Sequence, residues 1–363
     1  MSDASSRILV ETATKIAGSE RLRRRAVRCA ELVFDSGLPL GSSLAAWPVD
    51  AARTGLPPFF DPTVLLAGFR RLAADHRRRG IPTDITLATL RDLDLWMEHH
   101  RTATGAWAVR ETDWIARHLT GRLFQLGRLQ FEPRALELPF AVFCCRTGTE
   151  VAILAEGGRV FREDGQFADA DRGSLAESPA VLGTWRSRFV EDDRGWHGSV
   201  VDAAGRVRAG TEFLDRKGWS LAARRGDPVL AVHIPAAGRF NGPLTREACA
   251  DSFRRSIPFF ARYRVAAPPQ LLTCISWMLD PQLASELPPD SHLVSFQQFF
   301  RLLPVPAADD RQTLERVFGA HVADWSRAPR DTSLRLIIAG GAAAGVRWRM
   351  GGGVMLPRHA TGR

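Results

Sequence analysis

Residues 229–260, VLAVHIPAAGRFNGPLTREACADSFRRSIPFF, constrain this chain more than any other stretch. The apolar run Val229 to Ile234 predicts a buried strand. A loop holding Pro235, Gly238, Gly242 and Pro243 follows. A helix then opens at Thr245, whose hydroxyl suits an N-cap, with Glu247 in the first turn. Such a unit belongs to a layered fold with helices packed on a sheet. It is also an anion site by construction, because free N–H groups and the positive end of the helix dipole meet at the loop. A phosphate-bearing cofactor is the natural occupant. The same pattern also suits a plain strand-to-helix connection that binds nothing, and both readings stand at this point.

The 363 residues suffice for two domains or one large one, and 45% hydrophobic with 25% charged residues is a globular composition. The net charge of +9 is spread along the chain. Without a dense basic arm, nucleic acid is disfavoured as a partner. The triplets Arg23 to Arg25 and Arg77 to Arg79 read as solvated helix faces. A mild positive field suits an acidic partner such as coenzyme A or an acidic carrier protein. The five cysteines, Cys29, Cys144, Cys145, Cys249 and Cys274, form no CxxC pair and no cluster of zinc spacing. That argues for no metal and for a reducing cytoplasm. The N-terminus lacks the apolar core of a signal peptide, and no apolar run is long enough to span a membrane.

Along the chain, the first third predicts helices: residues 20–34, 61–79, a third capped by Thr83 or Asp84 and carrying Leu87 to Met97, and 111–119. His99 and His100 diverge on a helix and read as surface. From Arg122 the pattern shifts to strands. RLFQLGRLQFE predicts a strand or a bent pair. Further strands are expected at 140–145, 151–154, 185–190, 195–201, 210–214, 229–234, 271–279, 292–303 and 347–356. Helices are expected at 245–262, 281–287, 310–318 and 332–339.

Three segments carry a family resemblance. They are WIARHLTGRLFQLGRLQFE (Trp114 to Glu132), VHIPAAG with PLTREACADSF (Val232 to Gly238, Pro243 to Phe253), and SWMLDPQLASELPPDSHLVSFQ (Ser276 to Gln297). Together they resemble a bacterial two-domain acyltransferase family. Its members join a helical N-terminal domain to a GNAT-like C-terminal domain. The resemblance implies an α/β (α+β) fold: an all-α domain over 1–121, then a GNAT-like mixed sheet with helices over 122–363. It further implies that the fourth sheet strand, here Val229 to Ile234, splays from the fifth, here Leu271 to Leu279. An acyl-pantetheine arm would lie in the split, with its pyrophosphate on the loop and helix that follow. The donor-binding residues would be Val232, Ile234, Gly238, Arg239, Gly242 and Thr245. The loop AAGRFNG departs from the usual Q/R-x-x-G-x-G/A signature, which leaves acyl-CoA, acetyl-CoA and carrier-protein pantetheine open as donors.

Acyl transfer to an amine needs a base for the amine, a polarised thioester carbonyl and a proton or donor for the leaving thiolate. His233 on the fourth strand could be the base. Glu132, ending an early strand, could serve instead. Ser276 on the fifth strand could protonate the thiolate, with Cys274 on the same side of the sheet. Asp280 follows the strand end, where open α/β sheets gather ligand groups. The only tyrosine, Tyr263, ends the helix and is poorly placed as an acid. The expected activity is therefore N-acyl transfer from acyl-CoA to an amine by direct attack, without metal. The alternative is a non-catalytic, degenerate GNAT-like fold that binds a ligand or a partner.

Overall fold

The computed structural model describes residues 72–105, 114, 117–118, 121–148, 150–168, 183–236, 241–263, 266–306, 311–319, 322 and 324–360. The expected helix at 20–34, most of 111–119 and the loop residues Gly238 and Arg239 lie outside them. Two compact units emerge. The first takes Met1–Glu132, Ile234–Gly242 and Pro258–Val265; the second takes the remainder.

In the first unit, residues 72–79 are helical, followed by α1 (Thr83–Leu90) and α2 (Asp92–Thr104). The expected single helix over 83–97 is thus broken at Arg91. Neither Thr83 nor Asp84 caps it, since α1 starts after Pro82 with no side-chain cap. Proline there has no N–H to satisfy and a φ already suited to the helix entry. Gly105 ends α2 at φ 76°, where its N–H bonds Arg101 O at 2.7 Å. Strand β1 (Phe124–Leu126) pairs antiparallel with the start of β2 (Leu129–Ala135), so RLFQLGRLQFE is a hairpin. Phe124 packs at 5.0 Å from Phe259 and 5.2 Å from His76 between ring centroids.

The second unit contains β3 (Phe140–Cys145), β4 (Val151–Ala155), β5 (Val160–Phe161), β6 (Trp185–Arg186), β7 (Phe189–Glu191), β8 (Gly195–Gly198), β9 (Glu212–Asp215), β10 (Trp219–Ala223) and β11 (Pro228–His233). Helix α3 (Arg246–Tyr263) begins in this unit, and β12 (Leu271–Ser276) follows. Then come α4 (Pro281–Glu286), α5 (His292–Gln297), β13 (Arg301–Pro304), α6 (Arg311–Phe318), α7 (Ser333–Ala343), β14 (Gly351–Met355) and α8 (Pro357–Ala360). Here β11, β12, β14 and β13 are neighbours in that order, and β10, β3 and β4 form a separate sheet. The core between the two sheets joins Val142 and Ile153 to Val229, Leu271, Leu303 and Val354.

Three expected strands are corrected. The run 271–279 ends at Ser276, because the Ser276 hydroxyl accepts the Met278 N–H and turns residues Trp277–Leu279 into a 3-10 helix. The run 292–303 begins as helix α5, because Ser291 caps it by accepting the Val294 N–H; only Arg301–Pro304 is strand. The run 185–190 divides, β6 pairing with β5 and β7 with β8.

Candidate functional site

Strand β11 is buried from Val229 to Val232. It runs parallel to β12 with Val229 opposite Leu271 and Val232 opposite Cys274. There the pairing stops. Strand β12 continues, with Ile275 opposite Gly352 and Ser276 opposite Gly351 on β14. The two parallel strands therefore part at their C-terminal ends, with β12 held to its other neighbour. Ile275 is 44% exposed on a strand whose first four residues are buried.

Side chains alternate along both strands. His233 therefore shares a face with Ile275, while Val232, Cys274 and Ser276 share the opposite one. His233 is half-buried at the end of β11, and Ser276 is half-buried at the end of β12. The two flank the parting from opposite faces. Because Oγ of Ser276 accepts the Met278 N–H at 3.2 Å, its own proton stays available to donate. Cys274 is 2% exposed, and burial pushes its thiol up to about 12. It is an inert packing residue rather than a nucleophile.

Asp280, also 2% exposed, has its carboxylate taken up by the protein. Oδ1 accepts the Gln282 N–H at 3.0 Å and caps α4, while Oδ2 accepts the Arg349 N–H at 2.7 Å. Burial pushes its pKa above the ordinary carboxylate value, against the opposing pull of those N–H donors. Asp280 thus joins the approach to β14 to the start of α4. Glu132, in the first unit, is buried and ion-paired to Arg117 at 3.3 Å. Tyr263 is the last residue of α3.

The chain that follows β11 includes Ile234 and Gly242, which belong to the first unit. Arg128 donates to Pro235 O at 2.8 Å, and Asn241 accepts from Gln125 at 2.8 Å, so both ends of this loop are anchored. Sequence reasoning missed Gln125 and Asn241; a polar residue in a strand otherwise buried was the available signal. Helix α3 opens as expected, with the Thr245 hydroxyl accepting the Ala248 N–H at 3.2 Å. Among the described residues no group of three or more His, Cys, Asp or Glu could hold a metal ion, and no helix is long and apolar enough to cross a membrane.

Two family models match the chain: the N-acyltransferase N-terminal domain over residues 1–121 and the GNAT-like C-terminal domain over residues 123–355. Among solved structures it is similar to an acyltransferase in complex with decanoyl-CoA and teicoplanin, at 24% identity and TM-score 0.53, over 82% of this chain and 66% of that one. It is also similar to an acyltransferase mutant in complex with octanoyl-CoA, at 23% identity, TM-score 0.53 and the same coverage. At this identity the likeness is one of fold. The chain spans 66% of the length of those solved acyltransferases. No curated protein matches it.

Proposed function

This chain belongs to the two-domain N-acyltransferase family with a GNAT-like C-terminal domain, and from that premise we propose that it transfers an acyl group from acyl-CoA to an amine by direct attack. The observation that supports this most is the parting of β11 from β12 beyond Val232 and Cys274. An extended amide-bearing arm can lie between the two strand ends beyond Val232 and Cys274 as a further strand would. In this reading Val232 and Ile234 offer backbone to the arm. The pyrophosphate meets the loop with Gly238, Arg239 and Gly242 and the N-terminal turn that Thr245 caps. Glu247 in that turn sets a limit on the negative charge tolerated nearby.

His233 acts as the base in this proposal. It takes a proton from the acceptor amine, whose nitrogen then forms the new bond to the thioester carbon. Collapse of the tetrahedral species breaks the carbon–sulfur bond; the Ser276 hydroxyl hydrogen-bonds the departing thiolate, and the proton that His233 took from the amine ends on that sulfur, so both side chains return to their starting states. Glu132 is the second base in the proposal. Asp280 acts as a positioning residue, because its carboxylate is already committed to Arg349 and Gln282.

The domain reading is residues 1–121 and 122–363, and the cellular reading is a bacterial cytoplasm. The net charge of +9 supports an acidic donor carrier, either coenzyme A or an acyl-carrier protein. The complexes of similar acyltransferases with octanoyl-CoA and decanoyl-CoA support a donor with a medium-length chain. Isothermal titration with CoA, acetyl-CoA, octanoyl-CoA and acyl-carrier protein tests the reading: one saturable site is expected. Failure of every one of these to bind overturns it.

A further inference from the structure

A cavity in the second unit lies away from the parted strand ends. It encloses about 390 Å³ and is lined by Leu271, Phe299, Phe300 and Trp219, with Glu150 and Arg301 also on its wall. Leu271 starts β12 and Ser276 ends it, so at about 3.3 Å per residue the cavity and the parting stand roughly 16 Å apart along the strand. The volume falls in the range of small-molecule sites.

Its chemistry is specific. Phe299, Phe300 and Trp219 offer aromatic surface, and Val142, Val354 and Leu356 complete an apolar floor. Arg301 and Glu150 are exposed, and neither forms an ion pair among the described residues. His359 also lines the cavity, and burial with the neighbouring Arg358 charge lowers its pKa, which favours a neutral ring. One cation and one anion are therefore left at the rim of an aromatic cleft. Arg301 is the first residue of β13, opposite Val354, and Glu150 ends the turn that directly precedes β4.

We infer that this cleft binds an amphipathic zwitterion of amino-acid size, with its apolar body against the aromatic wall, its carboxylate at Arg301 and its ammonium at Glu150. A guanidinium matches a carboxylate with paired N–H donors, and a carboxylate accepts from an ammonium. The site is independent of the proposed donor site and needs no acyl-CoA.

Isothermal titration with L-phenylalanine tests the inference, alongside N-acetyl-L-phenylalanine, which lacks the ammonium, and L-phenylalaninamide, which lacks the carboxylate. Wild-type protein should bind L-phenylalanine saturably, and each derivative at least about tenfold more weakly. Arg301→Met should weaken L-phenylalanine about tenfold and leave the amide unchanged. Glu150→Gln should weaken L-phenylalanine about tenfold and leave the N-acetyl derivative unchanged. Both residues are exposed, so unchanged melting temperatures are expected and serve as the folding control. Gly242→Glu, placed at the proposed donor loop, should bind L-phenylalanine as wild type does. That variant separates failure of this site from failure of the donor reading. The inference is overturned by absence of saturable binding at millimolar L-phenylalanine, by equal binding of all three compounds, or by indifference to both charge substitutions.

Discussion

The backbone N–H of Arg349 donates to Oδ2 of Asp280 at 2.7 Å, joining two segments 69 residues apart in sequence. The bond fixes the chain just before β14 to the cap of α4. Strand β14 is the neighbour that holds β12 while β11 departs. Geometry at the parting thus depends on a carboxylate that need not touch a substrate.

Replacing Asp280 by Asn leaves one acceptor oxygen where two backbone N–H groups now bond. A buried donor loses its partner, and the expected cost is about 1–3 kcal/mol in chemical denaturation. The sign with pH is also set. Burial raises the folded pKa above the unfolded value, so the native state favours the uncharged acid. The associated stability is fully present below the unfolded pKa and declines as pH rises through the folded one. The stability difference between wild type and Asp280→Asn should therefore shrink from acid to neutral pH. A difference that grows instead contradicts the assignment.

Gly351 lies between β12 and β13 where a Cβ would collide with the Leu279 carbonyl. At Gly353 a Cβ would come within 2.8 Å of Phe300 Cβ. Backbone cannot yield as a flexible side chain does. Gly351→Ala should lose about 3 kcal/mol of stability by overpacking, measured by urea unfolding. Gly340→Ala, whose Cβ meets nothing within 4 Å, is the control and should cost under about 1 kcal/mol.

In the first unit Asp92 accepts from Trp114 Nε1 at 2.6 Å and Trp96 Nε1 at 3.2 Å, and lies 3.2 Å from His118 Nε2. Burial alone would raise its pKa, but hydrogen bonds and charge from His118, with Trp114 and Gln130, hold it below the ordinary value. Its stabilisation is present above the unfolded pKa and is lost as pH falls through the folded one. Asp92→Asn should cost roughly 3 kcal/mol at neutral pH. Acid titration of wild type should narrow that gap; a constant gap down to about pH 2 would count against the ion pair.

A Cβ added at Gly242 would meet nothing within 4 Å, so a side chain can start there without a clash. A carboxylate facing the donor phosphates should weaken acyl-CoA binding by at least about tenfold, because like charges meet near a helix N-terminus. Gly242→Gln should lose far less. Calorimetry of both variants reads the difference, and equal affinities would move the pyrophosphate elsewhere.

For His233 and Ser276, alternation along a strand places each residue on its element, but the faces they share are not written in either segment. Register between β11 and β12 decides that, and register is a property of the pair. Cys274 illustrates the same limit. Its spacing from Ser276 is legible, whereas the burial that makes its thiol inert comes from strands and helices distant in sequence. Residues 292–303 read as strand when their apolar pattern is weighed above the Ser291 cap, yet the local side-chain bond to the Val294 N–H prevails.

Residues close in the chain carry the apolar strand, read over 229–234 and formed over Pro228–His233, the Thr245 cap, the strand or bent pair over 122–132 and the family segments. Tertiary structure alone decided where β12 abandons β11, that Asp280 serves Arg349, and that aromatic residues from β10 and the approach to β13 enclose a charged-rimmed cleft. Backbone pairing and burial are settled between segments many residues apart, and each segment's own pattern permits more than one partner.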